Sequence, residues 1–354
     1  MKLRLIFTLF LFIFFCNLYA QRSEFLLEKG WKFIKGDYPE AVNKNFDDKN
    51  WEPVVVPHDW AIYGPFDRKH DLQEVAITQN GETVATIKTG RTGGLPYVGT
   101  GWYRNTFNIE NFDKGKKRVS LLFDGAMSEA RVYVNGKEAI FWPFGYNSFH
   151  CDITDFLNSD GNSNIVAVRL ENKPQSSRWY PGAGLYRNVH VVITNEVHVP
   201  IWGTYITTPF VSKEYASVNL KTEIKNSQNN DIRIVTEITD AKGNVVSTKD
   251  NTQRINHGKP FEQNFIVNNP NLWTPEAPYL YKAVSKVYTE GKLTDEYITR
   301  FGIRDIRLIA DKGFFLNGEK RKFQGVCNHH DLGPLGAAVN VAALRRQLTM
   351  LKDM

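Results

Sequence analysis

The chain has 354 residues, of which 42% are hydrophobic, and it carries a formal charge of +6. That length accommodates two or three domains of ~100–200 residues each, and the apolar content excludes global disorder. Basic residues are scattered, with no run of about five or six, which argues against nucleic acid as a partner.

Lys2 and Arg4 precede an apolar run over residues 5–15, and Ala20 follows Leu18-Tyr19. This is the charged, apolar and small-residue order of a secretory signal peptide, with cleavage expected between Ala20 and Gln21. The run is short for a span of ~20 residues, so the expectation is an exported protein, periplasmic or extracellular, with no transmembrane segment after cleavage. The alternatives are a retained anchor and a lipid-bearing Cys16, the latter disfavoured by the bulky Phe14-Phe15 before it. Cleavage leaves Cys151 and Cys327, read as two separate thiols rather than a disulfide framework. No Cys/His spacing resembles a zinc site.

From 21 to 200 the pattern is one of short strands, including 119–123, 130–134, 165–170 and 189–193. The turn pair Asn135-Gly136, flanked by strand residues, signals a hairpin, since a type I′ turn needs φ > 0 at both central positions. The predicted fold is a β-sandwich of jelly-roll type. Residues 64–100 break the rhythm as a long loop with room for a small hairpin of its own. Residues 201–301 form a second β module with strands predicted at 218–224, 232–238, 245–248, 261–267 and 280–288, a spacing that suits an immunoglobulin-like sandwich.

After Gly302 the character changes. Phe314-Phe315-Leu316, Asn317-Gly318 and Lys322-Phe323 predict one more hairpin, and 323–326 reads as a buried strand. A polar loop, Asn328-His329-His330-Asp331-Leu332-Gly333-Pro334, leads to a helix with Val341, Leu344, Leu348 and Leu351 on one stripe and Asn340 as its N-cap. Strand, loop and helix make a single βα unit. One such unit cannot close a barrel, so the chain reads as truncated, and residues 302–354 are expected to be its least stable part.

Several motifs together resemble glycoside hydrolase family 2, whose members include β-galactosidases, β-glucuronidases and β-mannosidases. They are Val56-Pro57-His58-Asp59-Trp60, Gly101-Trp102-Tyr103-Arg104 and Ser177-Arg178-Trp179-Tyr180-Pro181-Gly182-Ala183-Gly184-Leu185-Tyr186-Arg187. Further along come Asn271-Leu272-Trp273-Thr274-Pro275-Glu276-Ala277-Pro278-Tyr279-Leu280-Tyr281, Phe301-Gly302-Ile303-Arg304 and Gly325-Val326-Cys327-Asn328-His329-His330-Asp331. The resemblance covers essentially all of the chain after the signal peptide. It implies a signal peptide (1–20), a sugar-binding jelly roll (21–200), an immunoglobulin-like sandwich (201–301) and the start of a catalytic (β/α)8 barrel (302–354).

The resemblance implies a β-galactosidase-like O-glycosyl hydrolase that acts on oligosaccharides or glycans with retention, using two glutamates ~5–5.5 Å apart. In the family both lie in later barrel strands, beyond Met354, so the chain itself is expected to be inactive. Glu129, Glu138, Glu171 and Glu319 read as ordinary strand or turn carboxylates. What remains is the rim of the sugar site. Asp59 matches a position that contacts the terminal sugar in the family, though an Asx-type turn residue is the competing role. Arg178 and Trp179 are expected to line the same cleft, with Trp179 equally suited to stacking on sugar or to packing. His329, His330 and Asp331 follow barrel strand one and are expected to face the substrate, the alternative being a solvated polar loop. Asp59 and His329 should therefore approach one cleft. His58 and Trp60 are read as packing the loop, and Trp273 as core. No cofactor is expected in this chain. Family galactosidases often use metal ions, but no ligands are identifiable here, and homo-oligomerisation is compatible with the resemblance. β-Glucuronidase is the runner-up activity, and an exported carbohydrate-binding β-protein without catalysis is the rival class.

Overall fold

The computed structural model describes residues 22–354 apart from 71, 89–96, 98, 111, 159–161, 175, 178, 226–230 and 255–258. The expected signal peptide, Cys16 and Arg178 therefore lie outside the described residues. The described residues are mainly β, with two sandwiches, a small three-stranded sheet and one α-helix among them.

In the first, jelly-roll sandwich, a four-stranded sheet runs in the order Arg22–Leu26, Val189–Asn195, Lys117–Phe123, Phe149–Asp152. It faces a six-stranded sheet ordered Glu52–Val54, Trp31–Lys35, Gly99–Phe107, Asn164–Asn172, Ala130–Val134, Lys137–Trp142. Period-two alternation decides which side chains meet between them. Val119, Leu121 and Phe123 point inward against Val132, Val134, Val166, Val168 and Leu170 in one continuous core. Full burial of each such side chain stabilises by roughly 1.5–3 kcal/mol. The Asn135-Gly136 hairpin forms as expected, with φ of 50° and 86°. Asn135 does more than turn the chain: its Oδ1 accepts from the Ile165 N–H at 2.9 Å and its Nδ2 donates to the Phe156 carbonyl at 2.8 Å. The loop at 64–100 carries a small antiparallel pair, Gln73–Val75 with Thr86–Lys88.

The second, immunoglobulin-like sandwich sets Thr204–Val211, Tyr215–Thr222 and Phe261–Asn268 against Val245–Arg254, Asp231–Thr239, Tyr281–Thr289 and Lys292–Phe301. Phe261–Asn268 alternates perfectly between buried and exposed positions. The two sandwiches are fastened by a buried ion pair. Arg22 donates to both oxygens of Asp295, at 3.0 and 2.9 Å, and the Val199 N–H donates to the same carboxylate at 2.8 Å. Asn195 Nδ2 adds a bond to the Thr294 carbonyl at 2.6 Å. Trp273, expected as core, is only half-buried. It caps the end of the second sandwich, with the Arg304 guanidinium 4.9 Å from its ring.

The third sheet joins Ile306–Ile309, Gly313–Leu316 and Glu319–Lys320, with Asn317 and Gly318 turning at φ of 51° and 82°. The second arm of the expected hairpin is thus Glu319–Lys320 rather than Lys322-Phe323. The strand expected at 323–326 does not form. Phe323 is 80% and Val326 72% exposed, and among the described residues no neighbouring strand accepts their backbone groups. The helix does form, over Val341–Asp353, and the Asn340 carbonyl Oδ1 caps it by accepting from the Ala343 N–H at 3.0 Å. None of its residues is buried, so cap and propensity hold it without a packed face. Cys151 and Cys327 are separate free thiols, as expected. Burial pushes the Cys151 thiol up to about 12, which keeps it protonated and unreactive at neutral pH.

Candidate functional site

The loop after Glu52–Val54 carries His58, Asp59 and Trp60 into the end of the jelly roll. Its backbone is clamped to the segment 183–185, with His58 N–H donating to the Leu185 carbonyl at 2.8 Å and Trp60 N–H to the Ala183 carbonyl at 3.2 Å. Trp60 is fully buried and stacks on Phe33 at 5.2 Å. His58 is buried beside Tyr103, with Nδ1 2.7 Å from the hydroxyl. Burial, reinforced by the Lys35 charge, lowers its pKa to about 4, so its ring is neutral at neutral pH. Both residues pack the loop, as read from the sequence.

Asp59 is 1% exposed, and donors surround it. Oδ1 accepts from the N–H groups of Ala61 at 2.9 Å and Ala183 at 3.0 Å. Oδ2 accepts from the Tyr180 hydroxyl at 2.6 Å and the Ala337 N–H at 2.8 Å. A carboxylate offers about four lone-pair directions, and all are taken here by the protein. Burial pushes the Asp59 carboxyl up, and the four donors pull against that shift. The Tyr180 hydroxyl is raised by its own burial and by the Asp59 charge, so it stays protonated and keeps donating. Of the two roles open to Asp59 in the sequence, the Asx-type turn is the one its Ala61 bond makes. The correction is that it also joins three segments, its own loop and two distant ones at 180–183 and at Ala337, and has no free acceptor for a sugar.

The third of these segments follows the His329-His330-Asp331 loop. Ala337 is fully buried in a small cluster with Met127 and Tyr186, and the Val339 N–H donates to the Tyr186 carbonyl at 2.9 Å. The approach is too close for larger residues. A Cβ on Gly336 would collide with Ile62 and Asp59, and one on Gly182 with Ala337, and both glycines have positive φ. The stretch 330–339 is therefore docked on the jelly roll.

Docking brings Trp179, His329 and His330 together on the surface above Asp59, with Asp331 on the same loop. Trp179 is 39% exposed and donates from Nε1 to the Tyr146 hydroxyl at 3.1 Å. His329 is exposed and meets Trp179 edge to face, with ring centroids 5.7 Å apart. His330 turns inward: its Nε2 lies 2.8 Å from the Pro181 carbonyl, and its ring packs against Tyr146 and Tyr186. Asp331 is exposed and turns its own loop, accepting from the Gly333 N–H at 2.8 Å. Asp59 and His329 thus converge through adjacent residues, Tyr180 contacting the first and Trp179 the second.

Sequence reasoning missed Tyr146, Tyr180 and Ala337. Tyr180 sits inside a quoted motif but was legible only as its neighbour. Tyr146 lies 33 positions from Trp179, and no spacing rule links them. The four glutamates set aside are paired with cations: Glu129 with Lys173, Glu138 with Arg131, Glu171 with Arg169 and Glu319 with Arg321. Among the described residues no group of three or more His, Cys, Asp or Glu could hold a metal ion, and no helix is long and apolar enough to cross a membrane.

Residues 26–195 match the family model for the sugar-binding domain of glycosyl hydrolases family 2, and residues 197–304 match a second model for glycosyl hydrolases family 2. The β-galactosidase BoGH2A of Bacteroides ovatus is 39% identical over 339 residues, covering 94% of this chain and 37% of that protein. A β-glucuronidase of Formosa agariphila is 32% identical over 337 residues, covering 86% of this chain and 32% of its own length. The crystal structure of a glycosyl hydrolase family 2 member from Bacteroides cellulosilyticus superposes with a TM-score of 0.83 at 33% identity, over 93% of this chain and 41% of that one. The chain spans about a third of the curated relatives' length. With both sandwiches matched in sequence and in fold, the chain belongs to glycoside hydrolase family 2.

Proposed function

We propose that this chain is the sugar-binding portion of an exported β-galactosidase-like hydrolase that cleaves terminal β-linked sugars with retention. The observation that carries the reading is the exposed face of Trp179, fixed by Tyr146 and flanked by the exposed ring of His329. An aromatic face takes the apolar face of a pyranose. An imidazole beside it can donate to one sugar hydroxyl and accept from another. Asp331, exposed on the same loop, adds a carboxylate acceptor at the rim. His330 and Asp59 support this rim from below by holding the loop in place. We keep Arg178 in the proposed cleft on its motif alone. Cleavage needs two carboxylates across the scissile bond, one protonating the leaving oxygen and one forming the glycosyl-enzyme. We assign neither role to a residue of this chain.

Relatives named as β-galactosidase and as β-glucuronidase both match, so the choice between them rests on the rim. A uronic acid calls for a cationic clamp on its carboxylate. The rim named here offers one guanidinium, Arg178, and otherwise aromatic rings and a carboxylate suited to neutral hydroxyls, and we place galactosides first. Calorimetric titration of the protein with methyl β-galactoside and methyl β-glucuronide tests the order. Preference for the galactoside, lost in Trp179→Ala, supports it. Preference for the glucuronide, lost in the same variant, moves the reading to a β-glucuronidase.

A further inference from the structure

A cavity of about 480 Å3 opens where the outer face of the four-stranded sheet meets the start of the second sandwich. Its size falls within the ~300–1,000 Å3 typical of ligand pockets. It shares no residue with the cluster around Asp59 and Trp179. Its walls include Arg22, Arg118, Glu196, His150 and Lys225, with Thr194 on the outward face of its strand. Two of these cations are already committed. Arg118 forks onto Glu196 at 2.7 and 2.8 Å, and Arg22 holds Asp295. Lys225 differs: among the described residues no carboxylate pairs with it, and its ammonium lies close enough to His150 to oppose that ring's protonation. The cavity is therefore a polar wall in which the Lys225 ammonium stands outside the committed pairs, with the Asp152 carboxylate, which accepts from the Thr154 N–H at 2.8 Å, also among its lining.

Trp202 stands beside it. Its ring is 55% exposed and meets the His150 ring edge to face at 5.2 Å. Its backbone has φ of 59°, at the third position of a turn closed by the Gly203 N–H bonding the Pro200 carbonyl at 2.9 Å. That position favours glycine or asparagine, and a bulky residue there is strained. A tryptophan held in an unfavourable conformation with most of its ring in solvent gains little from packing. Its placement makes sense as a contact for something else.

We propose that this cavity binds an acidic glycan, with Trp202 stacking on one sugar ring while Lys225 and His150 hold a carboxylate or sulfate borne by the glycan. Both anions present oxygen acceptors to the ammonium and to an imidazole N–H, and a charged hydrogen bond of this kind supplies roughly a tenfold preference or more over a neutral sugar. The test is calorimetric titration of the protein with an oligogalacturonide, a sulfated galactan oligosaccharide and a neutral galactan oligosaccharide of equal length. Binding of either anionic ligand about tenfold tighter than the neutral one is expected, and which of the two binds identifies the acidic group. Lys225→Gln should erase the preference, and Trp179→Ala should leave it in place. Trp202→Gly is the sharper variant: it should weaken binding about tenfold while leaving the melting temperature unchanged or higher, because glycine relieves the turn. Equal affinity for all three ligands, no binding by either anionic ligand, or a Trp202→Gly variant that binds normally would overturn the proposal. So would a marked loss of stability in that variant, since Trp202 would then be a packing residue.

Discussion

Asp59 and Ala337 are 278 positions apart, and the Ala337 N–H donates to Asp59 Oδ2 at 2.8 Å. This bond makes one buried carboxylate the joint between the first sandwich and the loop that bears His329. It converts a residue expected to touch sugar into one that positions the residues around it.

Asp59→Asn tests that joint. The new amide would present two N–H donors to a site built entirely from donors, leaving at least one buried donor unsatisfied. We expect a loss of about 1–3 kcal/mol in urea unfolding. Limited proteolysis adds a local readout. In the parent protein, cleavage should remove the uncovered helix Val341–Asp353 and stop before the docked stretch 330–339. In the variant it should proceed back towards Gly302. Identical digestion patterns would count against the joint.

His58 gives the stability a pH dependence of known sign. Its folded pKa is about 4, below the 6.5 of the free side chain, so protons bind the unfolded chain more tightly. The stabilisation is fully present above pH 6.5 and is lost as pH falls through the window to about 4, in total about 3 kcal/mol. The His190 pKa is raised by Asp124 and Glu24, and that histidine works in the opposite sense, so the informative quantity is a difference. Subtracting the unfolding free energy of His58→Gln from that of the parent between pH 7 and 4 should expose the slope. A flat difference would mean that His58 titrates in the fold as it does in the unfolded chain.

The legible and illegible parts of the chain divide on physical grounds. Asn135-Gly136, Asn317-Gly318 and Asn340 were readable because their conformations follow from local chemistry: positive φ in the turns, a side-chain acceptor at the cap. Strand 261–267 was readable because one face is core and one is water. Val245–Arg254 was seen only to 248, since as an edge strand it exposes both faces and its second half carries no alternation. Phe323 and Trp273 misled for the converse reason. Hydrophobicity marks a preference for burial, and burial requires a partner surface that composition does not specify. The site divides in the same way. Trp179 and the histidines stood in motifs, whereas the role of Asp59 depended on Tyr180 and Ala337, whose approach is purely tertiary.

The junction between sandwiches should behave as a single buried charge cluster. Asp295 is 0% exposed and holds Arg22 and the Val199 N–H together. Asp295→Ala leaves a largely buried guanidinium and a backbone donor without their acceptor, at a cost of about 3 kcal/mol or more. Calorimetry should show the second sandwich melting earlier than in the parent. Unchanged thermal transitions would show that solvent readily replaces the pair.

The chain should not hydrolyse an aryl β-galactoside. The glutamates considered for the reaction are engaged by Lys173, Arg131, Arg169 and Arg321, and Asp59 is sealed by four donors. Turnover above an empty-vector preparation, abolished by substitution of any one of these acids, would locate a catalytic pair that this account lacks.

The proposed sugar site is the exposed ring of Trp179 beside His329. The most direct measurement is the indole N–H spectrum of 15N-tryptophan-labelled protein during titration with methyl β-galactoside, with resonances assigned by single substitution. The Trp179 Nε1–H, bonded to the Tyr146 hydroxyl at 3.1 Å, should shift in a saturable manner, while the buried Trp60 should not move. His329→Ala should weaken the titration about tenfold, through loss of the imidazole's hydrogen bonds to the sugar. A Trp179 resonance that stays fixed at concentrations saturating the protein by calorimetry would place the sugar elsewhere.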